Sequence, residues 1–176
     1  KPNTLYKSLK ALNLNIKDEE IRKWNNINIL VAGCGTGQHA LTTATKYKNS
    51  TITAIDLSKK SLSYAKRKAD ELKITNINFI QMDILDIKNL NKKFEIIESV
   101  GVLHHMGDSY LGFSNLCNIL KPGGLIMIGL YSKIARKHIE RIRIKIKKLN
   151  LITTENNIKD YREKIVNCNE DDYNLI

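Results

Sequence analysis

Short apolar runs alternate with amphipathic stretches from residue 27 to residue 131. Ile27-Asn28-Ile29-Leu30-Val31-Ala32 reads as a strand that runs directly into glycines, and residues 38–47 then read as a helix. Thr51-Ile52-Thr53-Ala54-Ile55-Asp56 predicts a second strand. Ser58 is a good N-cap for a helix reaching residue 72, with Leu62, Ala65 and Ala69 at helical spacing. Third, fourth and fifth strands are predicted over 77–82, 94–100 and 124–130. A helix over 109–120 separates the last two and is closed by the turn Lys121-Pro122-Gly123-Gly124. Strands alternating with helices predict an α/β fold, a doubly wound and mostly parallel sheet with helices on both faces. In such a sheet, ligands bind beyond the carboxyl ends of the strands, where the strand order reverses.

Outside this region the pattern changes. Residues 1–26 read as a helical lead-in, with short helices at 4–12 and 18–24. In residues 132–176, Ser132 is expected to cap a basic helix with Ile139, Ile142, Ile146 and Leu149 on one face. The alternation Ile142-Arg143-Ile144-Lys145-Ile146 also suits a strand, and helix is the reading preferred. A last helix is predicted over 155–166, and the acidic tail 170–172 has no clear structure. Residues 132–176 show no convincing pair of strands.

Composition narrows the class. Of 176 residues, 42% are apolar and 27% charged, as expected of a soluble globular chain. No apolar run approaches the roughly 18 residues of a membrane span. The chain starts at Lys1 with no apolar leader behind it, which predicts no signal peptide and a piece of a longer chain. Cys34, Cys117 and Cys168 are few, odd in number and far apart. They suit a reducing, cytoplasmic compartment better than a disulfide framework or a zinc site. The net charge of +11 is uneven: residues 133–148 hold eight basic residues and one acid. Such a run reads as a solvated helix face in a Lys-, Asn- and Ile-rich sequence, or as a patch for an anionic partner.

The chemistry starts at Gly33-Cys34-Gly35-Thr36-Gly37, between a strand and a helix, where backbone without Cβ atoms can approach a ligand closely. Alone, this loop does not separate a nicotinamide dinucleotide from another adenosine-bearing cofactor. Asp56 ends the second strand 19 residues after Gly37, where an acid can accept hydrogen bonds from ribose hydroxyls. The bland reading is a surface or capping aspartate. Asp83 ends the third strand, where it can read the exocyclic amine of adenine while Leu57 and Ile84 sandwich the ring; the bland reading is a turn aspartate.

Taken in order, these residues resemble the cofactor motifs of the class I S-adenosylmethionine-dependent methyltransferases. Phe94-Glu-Ile-Ile-Glu-Ser-Val-Gly-Val-Leu-His-His105 resembles the fourth-strand motif of their small-molecule branch, akin to ubiquinone and menaquinone biosynthesis. Leu120-Lys-Pro-Gly-Gly124 resembles the turn that opens strand five. The resemblance implies a Rossmann-like core with S-adenosylmethionine as cofactor. It places Gly33, Cys34, Gly35 and Gly37 along the methionine and ribose, Asp56 and Leu57 at the ribose and ring, and Asp83 with Ile84 at the adenine. Ser99 and Val100 would flank the methionine part and the methyl. Two departures stand out. The family usually carries an acid two residues before the first glycine, where this chain has Val31, so anchoring of the amino group falls to backbone carbonyls or Glu98. The family also usually closes its sheet with an antiparallel pair, which residues 132–176 do not supply.

Methyl transfer from a sulfonium is an in-line displacement that depends mainly on alignment, so a base is optional. His104 and His105, just after strand four, are the candidate catalytic bases, against a reading as local packing residues. Tyr131 could line an acceptor pocket, and Trp24 and Tyr6 a lid, with ordinary packing as the alternative for each. The chain lacks an Asp/Asn-Pro-Pro-Tyr run and a Pro-Cys pair after strand four, which marks down nucleobase amino and cytosine C5 chemistry. His104-His105 without a third ligand is too little for a metal site. The leading expectation is methyl transfer to a small-molecule acceptor. The alternatives are a nucleic-acid acceptor held by the basic 133–148 helix, a non-catalytic adenosyl-cofactor-binding module of a larger protein and, most distant, a nicotinamide oxidoreductase.

Overall fold

The computed structural model describes residues 26–47 and 49–167. The helices expected at 4–12 and 18–24, the lid residues Tyr6 and Trp24, and the acidic tail lie outside the described residues. Five parallel strands form one sheet: β1 (Ile27–Ala32), β2 (Ser50–Asp56), β3 (Ile77–Gln81), β4 (Phe94–Val100) and β5 (Leu120–Gly129). Between them run α1 (Gln38–Lys46), α2 (Lys59–Glu71) and α3 (Ser109–Asn118), with 3-10 segments at Ile84–Leu90 and Leu103–His105. The strand order is β3-β2-β1-β4-β5. The chain therefore builds outward from β1 to β3 and then returns to the other side of β1. The order reverses between β1 and β4, and the loops leaving those strands diverge to open a crevice.

The two-residue period of β1 explains why both faces are covered. Ile27, Ile29 and Val31 join one core with Ala40 and Ala44 of α1 and Leu62 of α2. Leu30 and Ala32 point the other way, into a core with Leu116 of α3 and with Ile84 and Ile87. Ser58 caps α2 as the sequence predicts, accepting a hydrogen bond from the Ser61 N–H at 3.2 Å. Asp108 caps α3 by accepting from the Leu111 N–H at 2.9 Å.

The Lys-Pro-Gly-Gly segment behaves differently from expectation. It is not a turn ahead of the fifth strand but a bulge within it, because β5 already begins at Leu120. Phe94 of β4 faces Leu120 while Ile96 faces Leu125, so residues 121–124 bulge opposite Glu95 alone. Glu95 fixes that bulge. Its carboxylate accepts from Lys121 Nζ at 2.5 Å and from the Asn28 N–H of β1 at 2.8 Å. Burial pushes the Glu95 carboxyl pKa up, but these hydrogen bonds and the Lys121 charge outweigh it and hold the group below its ordinary value.

The chain divides into two compact units, one reaching Leu130 and one starting at Tyr131. In the second, α4 (Lys137–Lys148) and α5 (Glu155–Val166) are helices, so the ambiguous 142–146 alternation is helical. Ser132 does not cap α4. Its hydroxyl accepts from the Ala135 N–H in a preceding turn, and the helix begins at Lys137. Ile142 and Ile146 of α4 line an apolar groove with Ile158, Tyr161 and Ile165 of α5. Among the described residues no strand follows β5, and no helix is long and apolar enough to cross a membrane.

The bulge generates a test of the fold. A Cβ at Gly124 would lie 2.8 Å from the Lys121 carbonyl oxygen and 2.9 Å from that of Glu95, both backbone atoms, whereas a Cβ at Gly107 would meet nothing within 4 Å. Gly124→Ala is expected to lower unfolding stability by about 1–3 kcal/mol in urea titration. Gly107→Ala is expected to change it by less than about 0.5 kcal/mol.

Candidate active site

The carboxyl ends of β1, β2 and β3 meet in one cleft. It has a volume of about 110 Å³ and is lined by Gly33, Asp56, Leu57, Met82, Asp83, Ile84, Val102 and Met106. Gly33, where β1 enters the glycine loop, is part of its wall, and the strand order places that loop beside the ends of both β2 and β4. Gly33 and Gly37 have φ of +76° and +89°, and a Cβ would reach within 2.4 Å of Val102 at the first and 2.5 Å of Ala65 at the second. At Gly35, φ is +52° and a Cβ would meet nothing within 4 Å. The outer two glycines let the loop pack against its neighbours, and the middle one leaves open space over the loop.

Asp56 braces this loop. Its Oδ2 accepts from the Gly35 N–H at 2.8 Å, and its Oδ1 accepts from the Ser58 N–H at 2.8 Å. The carboxylate thus joins the glycine loop to the entry of α2, and shares the capping region that the sequence assigns to Ser58 alone. Two carboxylate oxygens offer about four acceptor positions, so two further hydrogen bonds can be accepted from the cleft side. Asp83 has a similar double character. It caps the 3-10 segment by accepting from the Leu85 N–H at 2.9 Å, and it lines the cleft. Leu57 is 65% exposed while Ile84 is buried, so the apolar wall has one solvent-facing and one buried side chain.

The other sequence candidates fall at different depths. Cys34 is buried, and its thiol pKa is pushed up from 9.0 to about 12 by burial and then by the Asp56 charge. Ser99 is buried near the end of β4, its hydroxyl without a hydrogen-bond partner among the described residues, while Val100 is half exposed. Neither Ser99 nor Val100 lines the cleft. His104 and His105 sit on the 3-10 segment after β4 with their Nε2 atoms 3.1 Å apart and ring centroids 4.2 Å apart. Of the two ring nitrogens in that contact one donates and the other accepts, the tautomers setting which. Tyr131 opens the second unit, half exposed, with the Arg136 guanidinium 3.9 Å over its ring.

Sequence reasoning missed Met82, Val102 and Met106 in the cleft wall. Met82 directly follows β3, and Val102 lies two residues beyond the end of β4, so the signal was available in their place after a strand. Sequence reasoning also missed the partners of Glu98. This carboxylate is buried on β4, where it accepts from Thr43 Oγ1 at 2.7 Å and lies 2.9 Å from His39 Nε2.

The thiol gives a test of this geometry. Iodoacetamide at pH 8 is expected to alkylate the exposed Cys117 and to leave Cys34 unmodified, read by peptide mass spectrometry. The raised pKa also sets a sign. The unfolded thiol ionises near pH 9 and the folded one near 12, so Cys34 makes stability fall as pH rises between those values. Comparable labelling of both thiols in the folded protein would contradict the buried placement.

The sequence profile of the methyltransferase domain family matches residues 23–170. An uncharacterised Synechococcus protein, syc1184_c, is 36% identical over 116 residues, which is 65% of this chain and 28% of that protein. The (S)-coclaurine N-methyltransferase of Papaver somniferum is 30% identical over 101 residues, 57% of this chain and 28% of the relative. The chain thus spans less than a third of the length of either curated relative. Among solved structures, that of the [4+2]-cyclase SpnF superposes with a TM-score of 0.56 at 25% identity, over 61% of this chain and 39% of that one.

Proposed function

Because the chain belongs to the methyltransferase domain family, we propose that it binds S-adenosylmethionine in the cleft at the ends of β1, β2 and β3 and serves methyl transfer to a small-molecule acceptor. The observation that carries this reading is that Gly33, the first glycine of the loop, and two strand-end acids, far apart in sequence, line a single cavity. The residues fit the cofactor. Asp56 has acceptor positions left for ribose hydroxyls, and Asp83 offers an acceptor for the adenine amine. Leu57, Met82 and Ile84 supply apolar contact for the ring, and the open space over Gly35 admits a ligand against the backbone.

Bound there, the cofactor supplies a methyl group already activated on a sulfonium. The contribution of the chain is to hold it in line with the acceptor, and alignment of this kind is worth several kcal/mol of the barrier. His104 and His105 supply the base where the acceptor must lose a proton. Whichever ring donates in the Nε2–Nε2 contact keeps a lone pair on its Nδ1, and that nitrogen is the one able to take the proton. The name of the coclaurine N-methyltransferase supports a small-molecule acceptor, while assignment to the ubiquinone and menaquinone branch rests on the fourth-strand motif alone. A cytoplasmic location is proposed from the sparse cysteines.

The SpnF structure, named for a [4+2]-cyclase, favours a second reading in which the cleft holds its nucleoside without passing on the methyl. The nucleic-acid alternative draws only on the basic helix α4 of the second unit. Incubation with methyl-labelled S-adenosylmethionine and a fractionated metabolite extract separates these readings. Label is expected in the low-mass fraction. Label confined to nucleic acid would overturn the small-molecule reading, and cofactor binding with no transferred label would favour the second.

A further inference from the structure

The second unit carries many apolar side chains and no core: among residues 131–167 none is buried. Its two helices are nevertheless amphipathic. Ile139, Ile142 and Ile146 share one face of α4, and Ile158, Tyr161 and Ile165 share one face of α5. Both stripes open into a single groove, which Ile152 of the connecting segment also lines. That groove stays in contact with water, for Ile158 is 53% exposed and Ile152 is 75% exposed. Hydrocarbon left open in this way, on a unit that buries none, marks a surface that is covered in use.

Charge says what covers it. Residues 131–167 hold eleven basic residues and four acids. Arg162 lines the groove, while Arg143 and Lys147, one turn apart, line a second hollow that shares Ile146, Leu151 and Ile152 with it. At about 100° per residue, Lys145 flanks the α4 stripe on its other side. Among the described residues none of these four cations is in a salt bridge. A second copy of the chain would set like charge against like around the groove. A nucleic acid would meet the cations but leave the isoleucines uncovered, and its bases would find one tyrosine in the groove in place of a stacking platform. An anionic bilayer answers both halves, with acyl chains for the stripe and headgroups for the rim, reached by the long Lys and Arg stems. We propose that the helix pair α4 and α5 is a peripheral docking surface for anionic phospholipid membranes. At 12 residues, α4 is about 18 Å long, too short to cross a bilayer but suited to lying in its interface. This surface belongs to the second unit alone and needs nothing from the cofactor cleft.

Vesicle co-sedimentation of the full chain tests this surface. Vesicles containing one-third phosphatidylserine are expected to bind at least tenfold more tightly than vesicles of phosphatidylcholine alone, with the difference shrinking as salt rises. Arg143→Gln/Lys147→Gln and, separately, Ile152→Asn are each expected to weaken that binding at least threefold. Lys60→Gln/Lys66→Gln removes the same charge from α2 and is expected to change it by less than twofold. All of these side chains are exposed, so each variant is expected to keep the circular dichroism of the wild type. Equal binding to the two kinds of vesicle, or binding to neither, overturns the proposal. So does an unchanged affinity in Ile152→Asn, which would leave charge attraction alone, or an equal loss in the two double variants, which would make net charge the cause. Capture of a single-stranded oligonucleotide by a chain that ignores vesicles would assign the basic face to nucleic acid instead. A dimer that ignores vesicles and dissociates in Ile152→Asn would assign the groove to a second copy.

Discussion

One carboxylate ties the working end of this sheet together. Asp56 accepts from the Gly35 N–H with one oxygen and from the Ser58 N–H with the other, both at 2.8 Å. A loop with three glycines in five residues has a large conformational entropy and few side chains to pin it. Charge-assisted hydrogen bonds are the stronger kind, and here they are made at the middle glycine, where open space lies over the backbone. The same group holds the Ser58 N-cap of α2 and lines the cleft, with acceptor positions to spare. Its charge also helps keep the neighbouring Cys34 thiol protonated.

Much of this was legible in the sequence because the signals were local. The continuous apolar run of β1 reads as a buried parallel strand, and Leu62, Ala65 and Ala69 at helical spacing are the residues α2 buries. Asp56 and Asp83 are found by their place at strand ends. What the sequence could not show is which local signal wins where two compete. Lys121-Pro122-Gly123-Gly124 has every mark of a turn. Yet β4 and β5 pair on both sides of it, because Glu95 holds Lys121 and Leu120 already faces Phe94. Ser132 has the chemistry of a cap but serves a turn that ends before α4 starts. Contacts between elements were the other blind spot, since nothing in the run Phe94 to Val100 says that Glu98 meets Thr43 and His39, more than fifty residues away.

Register is what converts these distant pieces into a site. Parallel pairing sets Val31 beside both Ala54 and Glu98, so β2 and β4 flank the point where β1 opens into the glycine loop. The reversal of strand order between β1 and β4 leaves room above that row, where the glycine loop begins. Chemistry thus collects at the ends of the strands, while the faces of the sheet are occupied by packing.

The central claim is that the Asp56 carboxylate both holds the glycine loop and receives the sugar of an adenosyl ligand. Calorimetric titration of S-adenosylhomocysteine into the wild-type chain and Asp56→Ala tests it most directly. The account predicts micromolar binding that weakens at least tenfold in the variant, about 1.4 kcal/mol. Equal affinity in the two proteins would contradict it.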